Sequence, residues 1–331
     1  MTGGDPCGIG PEVILKSLTN RSPQRVRLVI IGDVRVFEQT AKRLRRRLPR
    51  WDATLNFVDV AHRATFHPGR SDSSAGRAAL DYLEAAVALW REGSISALVT
   101  APVTKWAIER IQPGFVGHTE YLGGVCGVPH PVMMVVSSRL RVVLLTRHRA
   151  LHDVASQMTR PLLRATLKTT IDGLQAYFGL RRPRIAICGL NPHAGERGAF
   201  GDEEQRILAP VLRALGTDRA HLEGPFAADG FFVDPKGYDA VVCWYHDQGL
   251  IPFKMMARDR GCQLTLGLPI IRTSPDHGSA LAIAGKGVAH PGSMRYAIEL
   301  AARLAGKSGT QTNRGHNTRS KKLVCVPSLA C

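Results

Sequence analysis

An α/β fold with a largely parallel sheet, divided into two domains, is predicted for this 331-residue chain. Two observations carry the class: short apolar runs of strand length recur along the sequence, and amphipathic helical stripes alternate with them. Length supplies the third, because at roughly 150 residues per domain the chain holds two domains and a sizeable core.

The elements follow in chain order. GDPCGIGPE, residues 4–12, forms a tight turn whose Pro11 opens a helix from Glu12 to Leu18. Strand-like runs cover Val26 to Ile31, Ile95 to Val99, Val132 to Val136, Val142 to Leu145, Ile185 to Cys188 and Ala240 to Tyr245. Leu80, Leu83, Val87 and Trp90 form one helical stripe, and Leu163, Leu167, Ile171 and Leu174 another. A further helix begins near Glu203. Boundaries fall near TAPVTKWAI and ARDRGCQL, which divides the chain into 1–105 with 262–305 as one α/β domain, 106–261 as the second, and a basic tail at 306–331.

Charge and composition narrow the function classes. The formal net charge of +17 raises a nucleic-acid partner, but the densest basic run, KRLRRRLPR at 42–50, accompanies Phe37, Ala41, Leu44 and Leu48 at helical spacing. Its six basic residues then form the solvated outer face of an amphipathic helix. Neither a nucleic-acid motif nor interleaved aromatics accompany them, so a nucleic-acid partner is not expected. From Gly306 onward five Lys or Arg stand without an acid, which reads as disorder until the last few residues. Seven cysteines without a CxxC pair fit reduced thiols in a cytoplasm. No apolar run of about 18 residues and no leader occurs, so neither membrane span nor export signal is expected.

Three strand ends carry the chemistry. AVVCWY runs into His246, Asp247 and Gln248; VVLLT runs into Arg147 and His148; and Ile185 to Cys188 is followed by GLNPHAGE with Asn191, His193 and Glu196. Ligands of α/β sheets bind outside the carboxyl ends of strands. Three such connections, each delivering a histidine, match three ligands of one divalent metal. Three unrelated surface histidines among twelve are the alternative. Asp247 either orients a ligand, accepts a proton or caps the strand. Lys105 in APVTK either faces a cleft or is solvated.

GDPCGIGPE, GHTEYL, GLNPHAGE, YHDQGLIPFK and TLGLPIIRTSPDHGSA followed by AGKG resemble, in order and spacing, the signature segments of the 4-hydroxythreonine-4-phosphate dehydrogenase family, from about Thr2 to Leu304. The resemblance implies a two-domain fold like that of isocitrate and isopropylmalate dehydrogenases, with the active site in the interdomain cleft. It also implies a homodimer and a metal site at His148, His193 and His246 completed across the dimer interface. His118 and Thr119 match the family's substrate-contacting pair, and Lys254 and Arg272 its basic substrate positions. Gln263 stands where the family usually has Asn. SPDHGSALAIAGKGVAHP resembles the adenosine-binding loop of isopropylmalate dehydrogenases, which would put His277 on the adenine and assign Gly278, Ala282 and Gly285 to the cofactor site.

The implied activity is NAD- or NADP-dependent oxidation of the C3 hydroxyl of 4-phosphohydroxy-L-threonine, assisted by a divalent ion such as Zn, Mg or Co, with decarboxylation to 3-amino-2-oxopropyl phosphate. A phosphorylated substrate suits the two cations, since a phosphate satisfies both while a neutral diol leaves them without partners. Other substrates in the family are threonate or erythronate 4-phosphate and cis-dihydrodiols. An inactive or nucleic-acid-binding paralogue is the alternative of another class. Two departures from the pattern stand out: Ala282 occupies the place of an acid, and no strand precedes the GDP segment, so the sheet is expected to lack one strand.

Overall fold

The computed structural model describes residues 1–18, 26–215 and 218–312. Its ten strands are β1 (Leu28–Gly32), β2 (Leu55–Asp59), β3 (Ala97–Val99), β4 (Val132–Ser137), β5 (Arg141–Leu144), β6 (Arg184–Cys188), β7 (His221–Phe226), β8 (Ala240–Cys243), β9 (Gly261–Leu266) and β10 (Ile271–Pro275). β1 and β2 form a parallel pair, and the other eight form one sheet in the order β3-β10-β9-β4-β5-β8-β6-β7. Thr2 bridges in parallel to both Ile31 and Thr100 and so holds a strand position between the two sheets.

The sheet is more mixed than its apolar runs suggest. β9 pairs antiparallel with both β10 and β4, and β4 pairs antiparallel with β5. The reason is connection length. Only residues 138–140 separate β4 from β5, and a parallel return needs a crossover of a dozen or more residues. Ser137 closes this hairpin, its Oγ accepting from the Leu140 amide at 3.0 Å. Residues 267–270 connect β9 to β10 in the same way. The expected boundary near ARDRGCQL lies at the start of β9, so the expected division crosses this continuous sheet between β9 and β4.

Helices cover the sheet where the apolar stripes require. Ser73–Arg91 buries Leu80, Leu83 and Val87; Arg160–Phe178 buries Leu163, Leu167, Ile171 and Leu174. Both begin with a side-chain cap, Asp72 to the Ala75 amide and Thr159 to the Leu162 amide. The basic run is corrected in part. Its helix, Val34–Arg43, stops before most of the arginines, and Arg45 takes a φ of 52°. The six basic side chains are nevertheless all exposed. The last helix, Gly292–Thr312, extends into the expected basic tail, so residues 306–312 are helical; residues 313–331 lie outside those described. Among the described residues no disulfide forms and no helix is long and apolar enough to cross a membrane.

Candidate active site

Antiparallel register builds the floor of a cleft of about 260 Å³. Pairing sets Arg272 opposite Thr265 and Thr265 opposite Met133; two residues along, Ser274 lies opposite Gln263 and Gln263 opposite Val135. Alternation along a strand sends all six to one face, and five of them line the cleft. The opposite face carries Thr273, whose hydroxyl donates to the Ala297 carbonyl at 2.9 Å and so faces the last helix.

Arg272 is 2% exposed, and hydroxyls alone hold it. Its Nη2 donates to Thr100 Oγ1 at 2.6 Å, and its Nη1 to Thr265 Oγ1 at 3.1 Å and Thr119 Oγ1 at 3.4 Å. No acid of the described residues forms an ion pair with it. Asp276 accepts instead from Ser293 at 2.7 Å, and Asp259 lies 3.7 Å from His290. Burial lowers the Arg272 pKa to about 10, a shift that Glu120 partly offsets. A cation buried beside neutral oxygens is costly without an anion, and here the cleft is open to receive one.

Further positive charge surrounds that floor. Helix His118–Val125 starts at the rim and delivers His118 and buried Thr119, whose hydroxyl also accepts from Gln263 Nε2 at 3.1 Å. Burial, with the charges of Arg272 and Lys105, drives the His118 pKa well below the ordinary imidazole value, so the ring is neutral at pH 7. Lys254, on helix His246–Ala257, reaches the Asp276 carbonyl at 3.4 Å and pairs with no acid among the described residues. Lys105 lines the cleft as well. Arg147 is the exception, since Glu120 neutralises it at 2.9 Å.

Two of the three expected metal histidines meet here. His148, after β5, and His246, after β8, have ring centroids 6.1 Å apart, and both line the cleft. Parallel pairing of β5 with β8 brings their ends together. Asp247 Oδ1 lies 2.6 Å from His246 Nδ1, which leaves Nε2 as the nitrogen open to a ligand. Desolvation by burial and the charge of Lys105 lower the His148 pKa, although the residue as a whole is exposed. Neutral imidazoles are the form that binds a metal. Gln248 joins the ends of two strands, taking the Trp244 amide at 2.8 Å and donating to the Gly189 carbonyl at 2.7 Å.

His193 is elsewhere. It is exposed and is not among the residues lining the cleft; its ring centroid lies 5.9 Å from that of Phe200. Among the described residues no three His, Cys, Asp or Glu side chains converge tightly enough for a metal. Residues 193–197 all have positive φ, from 39° to 80°, and only one of them is glycine. Such backbone costs energy and persists only where surroundings impose it. Beside this segment, buried Glu204 accepts from the Asn191 amide at 2.8 Å and from Asn191 Nδ2 at 3.0 Å. No local residue pattern signals this left-handed turn.

The expected cofactor loop rests on the GDPCGIGPE segment. Ile9 donates its amide to the Ser279 carbonyl at 2.9 Å, Thr104 Oγ1 bonds Ser279 Oγ at 2.8 Å and also donates to Asp5, and Glu12 accepts from the Ala289 amide at 2.9 Å. Gly8 and Gly10 therefore serve close approach rather than a Rossmann turn. His277 and Gly278 line the cleft, and His277 Nε2 is buried without a partner. Ala282 sits exposed in the short turn Leu281–Ile283, away from the cleft lining. Gly285, at φ +77°, packs against Pro68 so closely that a Cβ would stand 2.7 Å from the proline ring.

Comparison with known proteins places these features in context. The profile of the family described as pyridoxal phosphate biosynthetic protein PdxA matches residues 24–301. The chain is 41% identical to 4-hydroxythreonine-4-phosphate dehydrogenase of Bradyrhizobium diazoefficiens, covering 92% of this chain and 96% of the relative. It is 43% identical to the enzyme of that name from Roseobacter denitrificans, with the same coverage. A crystal structure of 4-hydroxythreonine-4-phosphate dehydrogenase from Klebsiella pneumoniae superposes with a TM-score of 0.81 at 35% identity, over 92% of this chain and 98% of that one. A terephthalate 1,2-cis-dihydrodiol dehydrogenase from Burkholderia xenovorans gives a TM-score of 0.62 at 31% identity, over 92% and 96%.

Proposed function

Because the chain belongs to the pyridoxal phosphate biosynthetic protein PdxA family, we propose that it oxidises the C3 hydroxyl of 4-phosphohydroxy-L-threonine with NAD or NADP, in pyridoxal 5'-phosphate biosynthesis. The β-keto acid so formed loses CO2 to give 3-amino-2-oxopropyl phosphate. One observation carries the substrate class: Arg272 is buried with no ion pair among the described residues, and Lys254, which lines the same cleft, also lacks one. A phosphate accepts charge-assisted bonds from both, and neutral His118 and Thr119 complete its surroundings.

When bound, a divalent ion such as Zn, Mg or Co would polarise the carbinol oxygen, and a nicotinamide would accept the hydride. The donors present suit that ion. His148 and His246 offer imidazole nitrogens, Asp247 orients one of them, and His193 is the third donor, supplied by a second copy of the chain. A homodimer is supported by exposed Phe200 beside His193 and by exposed Ile251 and Met255 on the helix that His246 opens. His277, Gly278, Ala282 and Gly285 belong to the nucleotide side. The division into 1–105 with 262–305 and 106–261 puts nucleotide loop and metal ligands on opposite sides of the cleft, and a cytoplasmic location follows from the biosynthetic role.

The test is a substrate panel assayed with NAD and NADP, with and without Zn, Mg or Co. Turnover of 4-phosphohydroxy-L-threonine above threonate and erythronate 4-phosphates is expected. Preference for a neutral cis-dihydrodiol would sink the reading.

A further inference from the structure

Resting on the activity above, we propose that Lys105 is a catalytic residue of the decarboxylation half-reaction, donating the proton that converts the enolate left by CO2 into the product ketone. Lys105 opens the short helix Lys105–Glu109, which follows β3 after residues 100–104, and its exposed side chain lines the cleft beside Gly117. A methyl group on Gly117 would stand 3.5 Å from Lys105 Cε and 3.8 Å from Nζ. His118 and His148 line the same cleft as Lys105, so the ammonium has access to the space between the phosphate-holding end and the end that holds the reacting hydroxyl. Among the described residues it makes neither a hydrogen bond nor an ion pair.

The reaction needs such a group. Once the hydroxyl is a ketone, the bond between the amine-bearing carbon and the carboxyl group breaks. Its electron pair becomes the C=C bond of an enolate whose charge rests on the former carbinol oxygen. A proton must then reach the amine-bearing carbon, forming C–H as the oxygen returns to a ketone. The Lys105 ammonium supplies that proton and is itself reprotonated by water, so no further reactant is required. Other cleft residues fit poorly. His118 is held unprotonated, Lys254 is drawn towards the Asp276 carbonyl on the cofactor side, Arg272 is fixed by three threonine hydroxyls at the phosphate-holding end, and Arg147 is paired with Glu120. Asp247 is bonded to His246.

The experiment compares the wild-type enzyme with Lys105→Met and Lys105→Arg, loaded with metal and nucleotide in D2O and quenched rapidly. Single-turnover nucleotide reduction is followed beside the products, with borohydride trapping any β-keto acid. Wild-type enzyme should place deuterium on one face of the amine-bearing carbon. In both variants decarboxylated ketone formed on the enzyme should fall about 100-fold or more. Trapped β-keto acid should rise, and deuterium should appear on both faces. Rescue by Lys105→Arg would overturn the proposal, since charge alone would then suffice; so would single-face deuterium in Lys105→Met, or equal losses in nucleotide reduction and decarboxylation. No nucleotide reduction by the wild-type enzyme would overturn the functional reading and this proposal together, whereas the other failures leave that reading standing.

Discussion

Arg272 and Thr100, 172 positions apart, are joined by two hydrogen bonds, from Nη2 at 2.6 Å and Nε at 3.1 Å to the same hydroxyl oxygen. β10 and β3 are parallel neighbours, with Thr273 level with Val99, so the contact follows from pairing at the strand ends. The hydroxyl fixes the guanidinium without neutralising it. The binding face therefore keeps its charge for a ligand.

Arg272→Ala should lower kcat/KM for the phosphorylated substrate by roughly ten- to a hundredfold or more, and far less for its dephosphorylated analogue. Arg272→Met should leave the ligand-free thermal midpoint unchanged or higher, because it removes a buried uncompensated cation. Inorganic phosphate should raise the midpoint of the wild-type protein but not of this variant. Equal kinetic losses on both substrates would count against a phosphate site here.

The position of His193 outside the cleft of its own chain makes a complementation test possible. His148→Ala and His193→Ala chains should each lose bound metal and activity. Mixed and allowed to exchange subunits, they should recover about a quarter of wild-type activity, since half the dimers are hybrid and each hybrid has one intact site. No recovery, with hybrids demonstrated by mass spectrometry, would place all three histidines in one chain.

Asp33 caps the helix Val34–Arg43 and accepts from the Arg35 amide at 3.0 Å, Arg35 Nη2 at 2.7 Å and the His62 amide at 3.1 Å. Burial acts to raise its pKa, and the bonds from Arg35 and His62 outweigh it, leaving the carboxyl below its ordinary value. A depressed folded pKa gives stability that is present above the unfolded value of about 3.9 and is lost as pH falls through the folded one. Asp33→Asn should cost about 1–3 kcal/mol at pH 7 and make the acid limb below about pH 4 shallower. Urea unfolding across that range measures both.

The nucleotide side gives a paired prediction. Ala282→Asp should shift binding towards NAD over NADP by roughly tenfold, through the ribose hydroxyls and repulsion of the 2′-phosphate. Gly285→Ala should weaken both nucleotides alike, since its left-handed backbone and the Pro68 contact cost about 1–3 kcal/mol together. Calorimetric titration separates the two outcomes. Strong NAD preference in the unmodified protein would contradict the role given to Ala282.

Much of this was legible in the sequence. Strand-end histidines 148 and 246 could be seen because a run of β-branched and apolar residues that stops in polar groups is a local signal, and the two long helices declared themselves by the spacing of Leu80 to Val87 and Leu163 to Leu174. β9 and β10 were not read as strands, although they carry Gln263 and Arg272. Those two residues were reached through the resemblance of their segments to a family, not through their local pattern.

What the chain determined by itself is therefore its alternation of elements, its histidine-bearing strand ends and its family, all properties of neighbouring residues. Only the tertiary structure decided that Arg272 lacks an acidic partner among the described residues, that Lys105 faces the cleft, that the GDPCGIGPE segment supports the loop expected to hold the cofactor, and that His193 stands apart from His148 and His246. Each depends on register or on contact between segments distant in the chain. Strand pairing fixes such relationships through hydrogen bonds that any backbone can make, so no single stretch of residues records them.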